Sequence, residues 1–431
     1  MFEFTSKAKL TSLVLIAVGL IALIIGFAQA PSSVADMHHM DHSHAAVDAD
    51  HLGDAHHDDA HAEHALHQMQ NRPWAALFHN AFFFMALGLG AIFFLGIQYV
   101  ASVGWSVVLN RIMEAVGLFM VVPGIVILLI VIAGGMHMHH LWHWMEPGIM
   151  DSNQPNYDEI IAGKQAYLNF GFFMLRSVIY IAGWAIAMRS FRKLSLREDR
   201  EGGTEIYRKQ VRNAAIFTVF FAVTSSMAAW DWVMSIDTHW FSTLFGWYTF
   251  AGIFVSALAG LALLTSYLKS KGYLDEVNEN HLQDLGKFVF AFSIFWTYLW
   301  FSQYMLIWYS NIPEEVTYYM QRFDEYKVAT LTALALNFLV PFLLILPRES
   351  KRNLGLLSMA AIIVLIGHWI DHFVMIMPGS VGPHFGLGYA EVGGFLLFAG
   401  LYIYVVFTNL SKAPLMQKNH PVFRESELFH Q

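Results

Sequence analysis

The sequence predicts an all-α polytopic membrane protein of ten transmembrane helices, and three observations carry that prediction. Of 431 residues, 56% are hydrophobic, 15% aromatic and only 13% charged, about half the charged share of ~25% found in soluble proteins. Ten mostly apolar stretches are each about 19 residues or longer, enough to cross a bilayer as a helix. Such runs exclude a membrane β-barrel, whose strands are about 10 residues and alternate in polarity. The third observation is a charge asymmetry. Twenty Lys and Arg fall on the side of the membrane that holds both termini, four (Arg72, Lys164, Arg322 and Lys327) fall on the other, and Arg176 lies inside a helix. Basic loops stay cytoplasmic, so both termini are expected in the cytoplasm.

The spans are read near 10–30, 75–100, 112–136, 168–188, 213–234, 241–268, 287–310, 328–347, 354–377 and 390–409. Residues 1–30 form the first unit. Lys7 and Lys9 precede its apolar core, and Phe27-Ala28-Gln29-Ala30 before Pro31 mimics a signal-peptide cleavage site. The apolar core is longer than the usual signal h-region, so an uncleaved anchor is expected. Residues 31–73 form the one sizeable stretch unsuited to the membrane, and they are placed on the outer, periplasmic side. From Asp36 to His67 there are ten histidines, eight acidic residues and no Lys or Arg. So little apolar surface cannot offset the entropy of ordering, and a disordered or draped spacer is expected. Its histidines could bind zinc, copper or nickel, or they could belong to a solvated spacer with no such purpose.

The remaining spans divide by internal repetition. The fourth helix of residues 75–235 ends with Trp230-Asp231-Trp232-Val233-Met234, and the fourth helix of 241–377 ends with Ile370-Asp371-His372-Phe373-Val374-Met375. Before the third helix of each set stands an aromatic-Asp-Glu triplet, Tyr157-Asp158-Glu159 and Phe323-Asp324-Glu325, and Glu146-Pro147 and Pro313-Glu314 precede these. After the third helix come Arg189, Arg192 and Lys193 in one set, Arg348, Lys351 and Arg352 in the other. Four matches in one order support two four-helix bundles related by an axis along the membrane normal, as in parallel-repeat transporters. Residues 390–409 then form a tenth, flanking helix and 410–431 a cytoplasmic tail.

Polar residues concentrate in the outer half. They include His139, His143, Arg176, Asp231, Asp237, His239, His368, Asp371 and His372. An interfacial belt accounts for the shallow ones but poorly for Arg176, His368 and Asp371, because ionisable side chains deep in a membrane mark a pathway or site. Arg176 lies about 12 Å in from its helix end and should find a carboxylate or snorkel outward. Asp231, on the next helix, is within a long side chain's reach. His368, Asp371 and His372 stand at i, i+3 and i+4 and share one helix face. His139 and His143, also four apart, are the pair of their cluster expected to point inward. A histidine held by a carboxylate exchanges protons near neutral pH, which suits a proton relay or quinol oxidation.

Zero cysteines removes disulfides, cysteine-bound zinc, iron–sulfur ligation and covalent haem attachment. A b-type haem would need facing histidines, for which His79 and His139, both shallow, and His368 are the candidates, but they lack paired spacing. No haem or metal is expected in the helical region, so electrons must pass through a partner. The repeats also suit a transporter, although the deep prolines, Pro123 and Pro341, lack the glycine pairs of broken transporter helices.

The run from Trp230-Asp231-Trp232 through Ser235-Ile236-Asp237-Thr238-His239-Trp240 to Phe245-Gly246 resembles the polysulfide-reductase-like membrane subunits of alternative complex III. So does Phe301-Ser302-Gln303-Tyr304-Met305-Leu306-Ile307-Trp308-Tyr309, followed by Asn311-Ile312-Pro313-Glu314. The resemblance covers roughly residues 75–410. It implies a bacterial inner-membrane subunit of a quinol:electron-acceptor oxidoreductase with two four-helix bundles. The implied partners are a related ten-helix subunit, iron–sulfur and multihaem cytochrome c subunits carrying the clusters and c-haems, lipids, the quinol pool and a terminal oxidase. No nucleic-acid partner is implied. The His-rich spacer and the extra first helix resemble the second, smaller ten-helix subunit, whereas the family's quinol site is attributed to the first. Expected roles are therefore scaffold and proton pathway, with no cofactor in this chain and quinol as the one ligand it could hold. The alternative is a stand-alone ion or small-solute transporter. Topology reporters fused at Lys164 and Lys271 should read outside and inside respectively; the reverse pattern would overturn the orientation.

Overall fold

A computed structural model of the chain describes residues 1–33 and 55–430, with 55–64 described by their backbone course alone. Among the described residues, ten helices are long and apolar enough to cross a membrane, and no strand occurs. We number them α1 (Ser6–Ala28), α2 (Ala55–Val100), α3 (Trp105–Gly135), α4 (Phe170–Glu201), α5 (Thr204–Ile236), α6 (Leu244–Ser270), α7 (Glu279–Ser310), α8 (Lys327–Ile345), α9 (Leu354–Val381) and α10 (Tyr389–Ser411). The chain is a polytopic helical membrane protein.

Helices α2–α5 pack in chain order and close with α2 against α5, making one four-helix bundle. Helices α6–α9 close in the same way, α6 against α9. Between the bundles α2 packs on α6 and α9, while α5 packs on α6. Exchanging α2 with α6 and α5 with α9 maps these contacts onto one another, the pattern of two repeats about an axis between α2 and α6. In the most apolar window of α2 and of α6, 89% of residues are buried, against 33% in α4 and 28% in α8. The first helix of each repeat is thus the central one, walled from lipid by the others.

Helix α2 starts twenty residues before the expected span. The predicted spacer therefore divides: 34–54 lie outside the described residues, and 55–73 continue the membrane helix. Extending a helix already held by packing needs no new nucleus, and this stretch is free of Gly and of Pro before Pro73. It is also clamped. Asn71 Oδ1 accepts from the His140 amide at 2.7 Å, Asn71 Nδ2 donates to the Ser380 carbonyl at 3.2 Å, and Arg72 pairs with the buried Glu391 of α10 at 2.9 Å.

At the face holding both termini, several helices run beyond their apolar cores. Arg192, read from sequence as a loop charge, lies on α4, and Arg111 lies on α3. Both are buried and pair with Glu114, which is fully enclosed; Arg192 Nη1 lies 2.6 Å and Arg111 Nη1 2.9 Å from its Oε2. Arg111 also pairs with Asp199, and Gln417 of the tail joins the group by donating to Glu114 Oε1 at 3.4 Å while accepting from Asn110 at 2.8 Å. The tail is bonded to the first bundle by this network. Sequence counting found the charges but not their partners.

Helix α1 packs along α10 at backbone contact. A side chain at Gly19 would meet the Leu397 amide, and one at Gly393 would meet the Leu23 amide. Small residues at such seams let membrane helices approach closely enough for dispersion to hold them. Gly19→Ala should therefore force α1 away, at the roughly 1–3 kcal/mol typical of overpacking. Thermal unfolding of the detergent-solubilised chain should show a clear drop in Tm for Gly19→Ala and none for Gly171→Ala, where the nearest atom to an added Cβ is 3.9 Å away.

Candidate functional site: a buried carboxylate in each bundle

Each bundle holds one buried carboxylate on its fourth helix, and the two are treated differently. In the first, Asp231 of α5 receives Arg176 of α4 through two bonds of 2.8 Å, Nε to Oδ2 and Nη2 to Oδ1. Tyr180 Oη donates a third at 2.8 Å to Oδ2. The guanidinium stacks 3.9 Å from the Tyr167 ring centre and donates to the Tyr167 carbonyl at 3.0 Å. Around this pair the indoles are also bonded: Trp232 to Ser177 Oγ at 2.8 Å and Trp184 to Thr224 Oγ1 at 2.9 Å. A bidentate, stacked ion pair of this kind is a closed unit.

In the second bundle, Asp371 of α9 meets no Lys or Arg among the described residues. Tyr248 of α6 donates to its Oδ1, and Trp296 of α7 donates its Nε1–H to Oδ2 at 3.1 Å. His368 Nδ1 stands 3.5 Å from Oδ2 without a hydrogen bond, its ring edge-on to Trp296. His372, one turn along from His368, packs against the edges of Phe82 and Phe83 of α2. Asp371 Oδ2, His368 Nδ1 and His372 Nε2 converge on the bare Cα of Gly252: a Cβ there would lie 3.6, 3.7 and 3.7 Å from them. Glycine at this point of α6 lets the three polar side chains close in on the helix backbone.

Neither ring nitrogen of His368 or His372 has a hydrogen-bond partner, and both residues are fully enclosed. The same holds for both amide atoms of Asn337 and of Gln303, and for the hydroxyls of Thr249 and Ser293. Thr249 lies beside Tyr248 on α6, and Ser293, Trp296 and Gln303 lie along one side of α7. Asn337 sits in a π-helical turn of α8, Ala335–Leu339, pressed against Gly367 next to His368. π-turns are rare and occur mostly at functional sites. Buried polar atoms are nearly always bonded, so a cluster of unbonded ones calls for water, an ion or a ligand.

The other sequence candidates lie elsewhere. The segment carrying His139 and His143 is not a regular helix, so the four-residue spacing does not put them on one face. His139 is buried, its Nε2 within 2.9 Å of the Ile130 carbonyl, and burial pulls its pKa down to about 4 although that bond raises it. His143 is half exposed and pairs with Glu146 at 3.1 Å. His239 is half exposed and pairs with Asp158 at 2.6 Å, outside the bundles, and Asp237 lies in the same connection beside Gly379. Sequence reading grouped these four with the core residues; their apolar surroundings looked alike in one dimension. It missed Tyr248, Trp296 and Gly252, which stand in aromatic and small-residue runs where no polarity marks them. It ranked His79 among shallow histidines, yet His79 is fully enclosed on α2, with Nε2 2.8 Å from the Trp369 carbonyl beside the cluster.

No protein-family model matches the chain, and no curated protein matches it.

The closed ion pair predicts its own mutational signature. Arg176→Ala leaves Asp231 buried and uncompensated, which costs about 3–5 kcal/mol, whereas removing both charges together is close to neutral. Unfolding measurements should therefore show Arg176→Ala severely destabilised and Arg176→Met/Asp231→Leu largely recovered. Equal loss in both would mean the pair is not a closed unit.

Proposed function

We propose that this chain is an integral membrane subunit of a respiratory quinol:electron-acceptor oxidoreductase of the alternative complex III type, and that its second bundle carries protons. The observation behind the proton role is the Asp371–His368–His372 group around Gly252, unbonded on four ring nitrogens and lacking a fixed cation. Oxidising a quinol releases two electrons and two protons. A chain without cysteine leaves the electrons to clusters and c-haems on partner subunits, which the motif resemblance implies. The protons need groups that can take up and give up a proton, and imidazole beside a carboxylate is such a group. Tyr248 and Trp296 hold Asp371 in place, and His368 and His372 present unbonded ring nitrogens beside it. Asn337 and Gln303 extend the polar line toward α8 and α7. The Arg176–Asp231 pair plays the opposite part, fixing the first bundle without exchanging protons. The proposed setting is a bacterial inner membrane with both termini cytoplasmic.

The π-turn in α8 favours a second reading. Helices interrupted beside a polar site at membrane depth are a transporter feature, and Asn337 could bind an ion or small solute there. The two readings part on simple grounds: an oxidoreductase subunit co-purifies with haem-bearing proteins, whereas a transporter purifies alone and moves a solute.

Asp371→Asn keeps the shape and removes the charge. In the assembled complex it should slow quinol-dependent turnover, or the proton release coupled to it, by about 10²-fold, the lower end for loss of an acid–base group. Assembly and haem content should stay as in the parent. Unchanged turnover and proton release in a fully assembled variant would refute the proton role.

A further inference from the structure

A long apolar groove of about 790 Å³ runs along the outside of the molecule between α10, which packs on α2, and the neighbouring α6 and α9. Phe83, Leu264, Leu365, Ala399 and Tyr402 form much of its wall, and no charged residue lines it. On α10 the wall extends from Val392 to Phe407, fifteen positions or about 22 Å at 1.5 Å per residue. That exceeds the ~15 Å of one hydrocarbon leaflet, so a chain lying in the groove is covered along its whole length. Its volume lies within the ~300–1,000 Å³ range of small-molecule sites.

The groove does not end in lipid. At the face holding the termini, Tyr267 and Phe407 stack with ring centres 5.7 Å apart, and both also line a second recess of about 370 Å³. This recess has the opposite chemistry. Lys7 and Lys271 border it, with Glu3 as its only acid and Thr5 and Thr11 supplying hydroxyls. The two lysines are exposed, and Lys271 Nζ stands 6.0 Å from the centre of the Tyr267 ring, at the junction of recess and groove. A hydrocarbon slot opening onto a site with two cations and one anion matches one kind of membrane component.

We infer that this paired groove and recess bind a phospholipid with a net negative head group, its phosphate between Lys7 and Lys271 and an acyl chain along α10. Charge complementarity selects the anionic class: a zwitterionic head brings its own ammonium to the lysines, and a neutral quinone has no anion to offer them. The bound lipid would fill the cleft that the α1–α10 pair leaves against the second bundle, and so brace that pair. This site is separate from the proton group proposed above and does not depend on it.

Native mass spectrometry of the full chain, purified in neutral detergent and offered phosphatidylglycerol or phosphatidylcholine with identical acyl chains, tests the inference. Phosphatidylglycerol should be retained in preference. Lys7→Gln/Lys271→Gln should weaken phosphatidylglycerol binding roughly 30-fold, the factor expected from two juxtamembrane lysines, and leave phosphatidylcholine binding unchanged. Ala399→Trp, which fills the groove, should reduce retention of both lipids. Because the chain has no cysteine, Ala399→Cys alkylated with a benzophenone maleimide gives a single photo-cross-linking site in the membrane, and on irradiation its insertion into a lipid C–H bond is expected. Equal retention of the two lipids, a preference that survives the double lysine variant, or cross-linking of Ala399→Cys to a partner protein's helix would each overturn the assignment.

Discussion

A carboxylate inside a hydrocarbon slab has no water to solvate it, and the answer given to that problem distinguishes the two halves of this molecule. Asp231 is neutralised by a guanidinium that is itself fixed by two aromatic rings and a carbonyl. Asp371 is held by a phenol and an indole, which donate hydrogen bonds but bring no charge. Hydrogen bonds steady a carboxylate without cancelling it, so the second site has no fixed counter-charge. Two histidines with four unbonded nitrogens stand at its side, the group to which we assign proton exchange. The helices around each site follow the same plan; the chemistry at their centres does not.

Such divergence is what duplication permits. The helix order, the closing contacts and the central placing of α2 and α6 are shared by the halves. Once one bundle is secured by an ion pair, the other can carry unsatisfied groups without loss of the whole fold. The π-turn in α8 belongs to the same half and carries Asn337, whose amide lies against Gly367, the chain neighbour of His368.

Much of this was legible in the sequence because a bilayer leaves a chain few options. Hydropathy alone located ten helices, and the Trp230-Asp231-Trp232 and Ile370-Asp371-His372 fragments located the repeat and both carboxylates. The meeting of Arg176 with Asp231 followed from the expense of leaving either alone. What the sequence concealed was of two kinds. Helix continued wherever packing held it, so the histidine-bearing stretch before Pro73 and the basic ends of α3 and α4 are more ordered than their polarity suggested. And the partners of Asp371 come from helices distant in the chain: Tyr248 and Trp296 are ordinary aromatics in aromatic-rich runs, and Gly252 matters only for what it leaves free. Histidine spacing misled for a related reason, since His139 and His143 are four apart in a segment that does not wind as a helix.

The seam between α1 and α10 has a consequence for how the protein is made. Its two sides are encoded far apart: Gly19 emerges from the ribosome 374 residues before Gly393. At about 5–20 residues per second, α1 waits roughly 20–75 s in the membrane before the helix that fits it exists. During that interval its glycine-lined face meets only lipid, or whatever insertion factor stands beside it. Helix α1 is therefore inserted before the other nine described spans yet docks among the last of them, because its partner is α10.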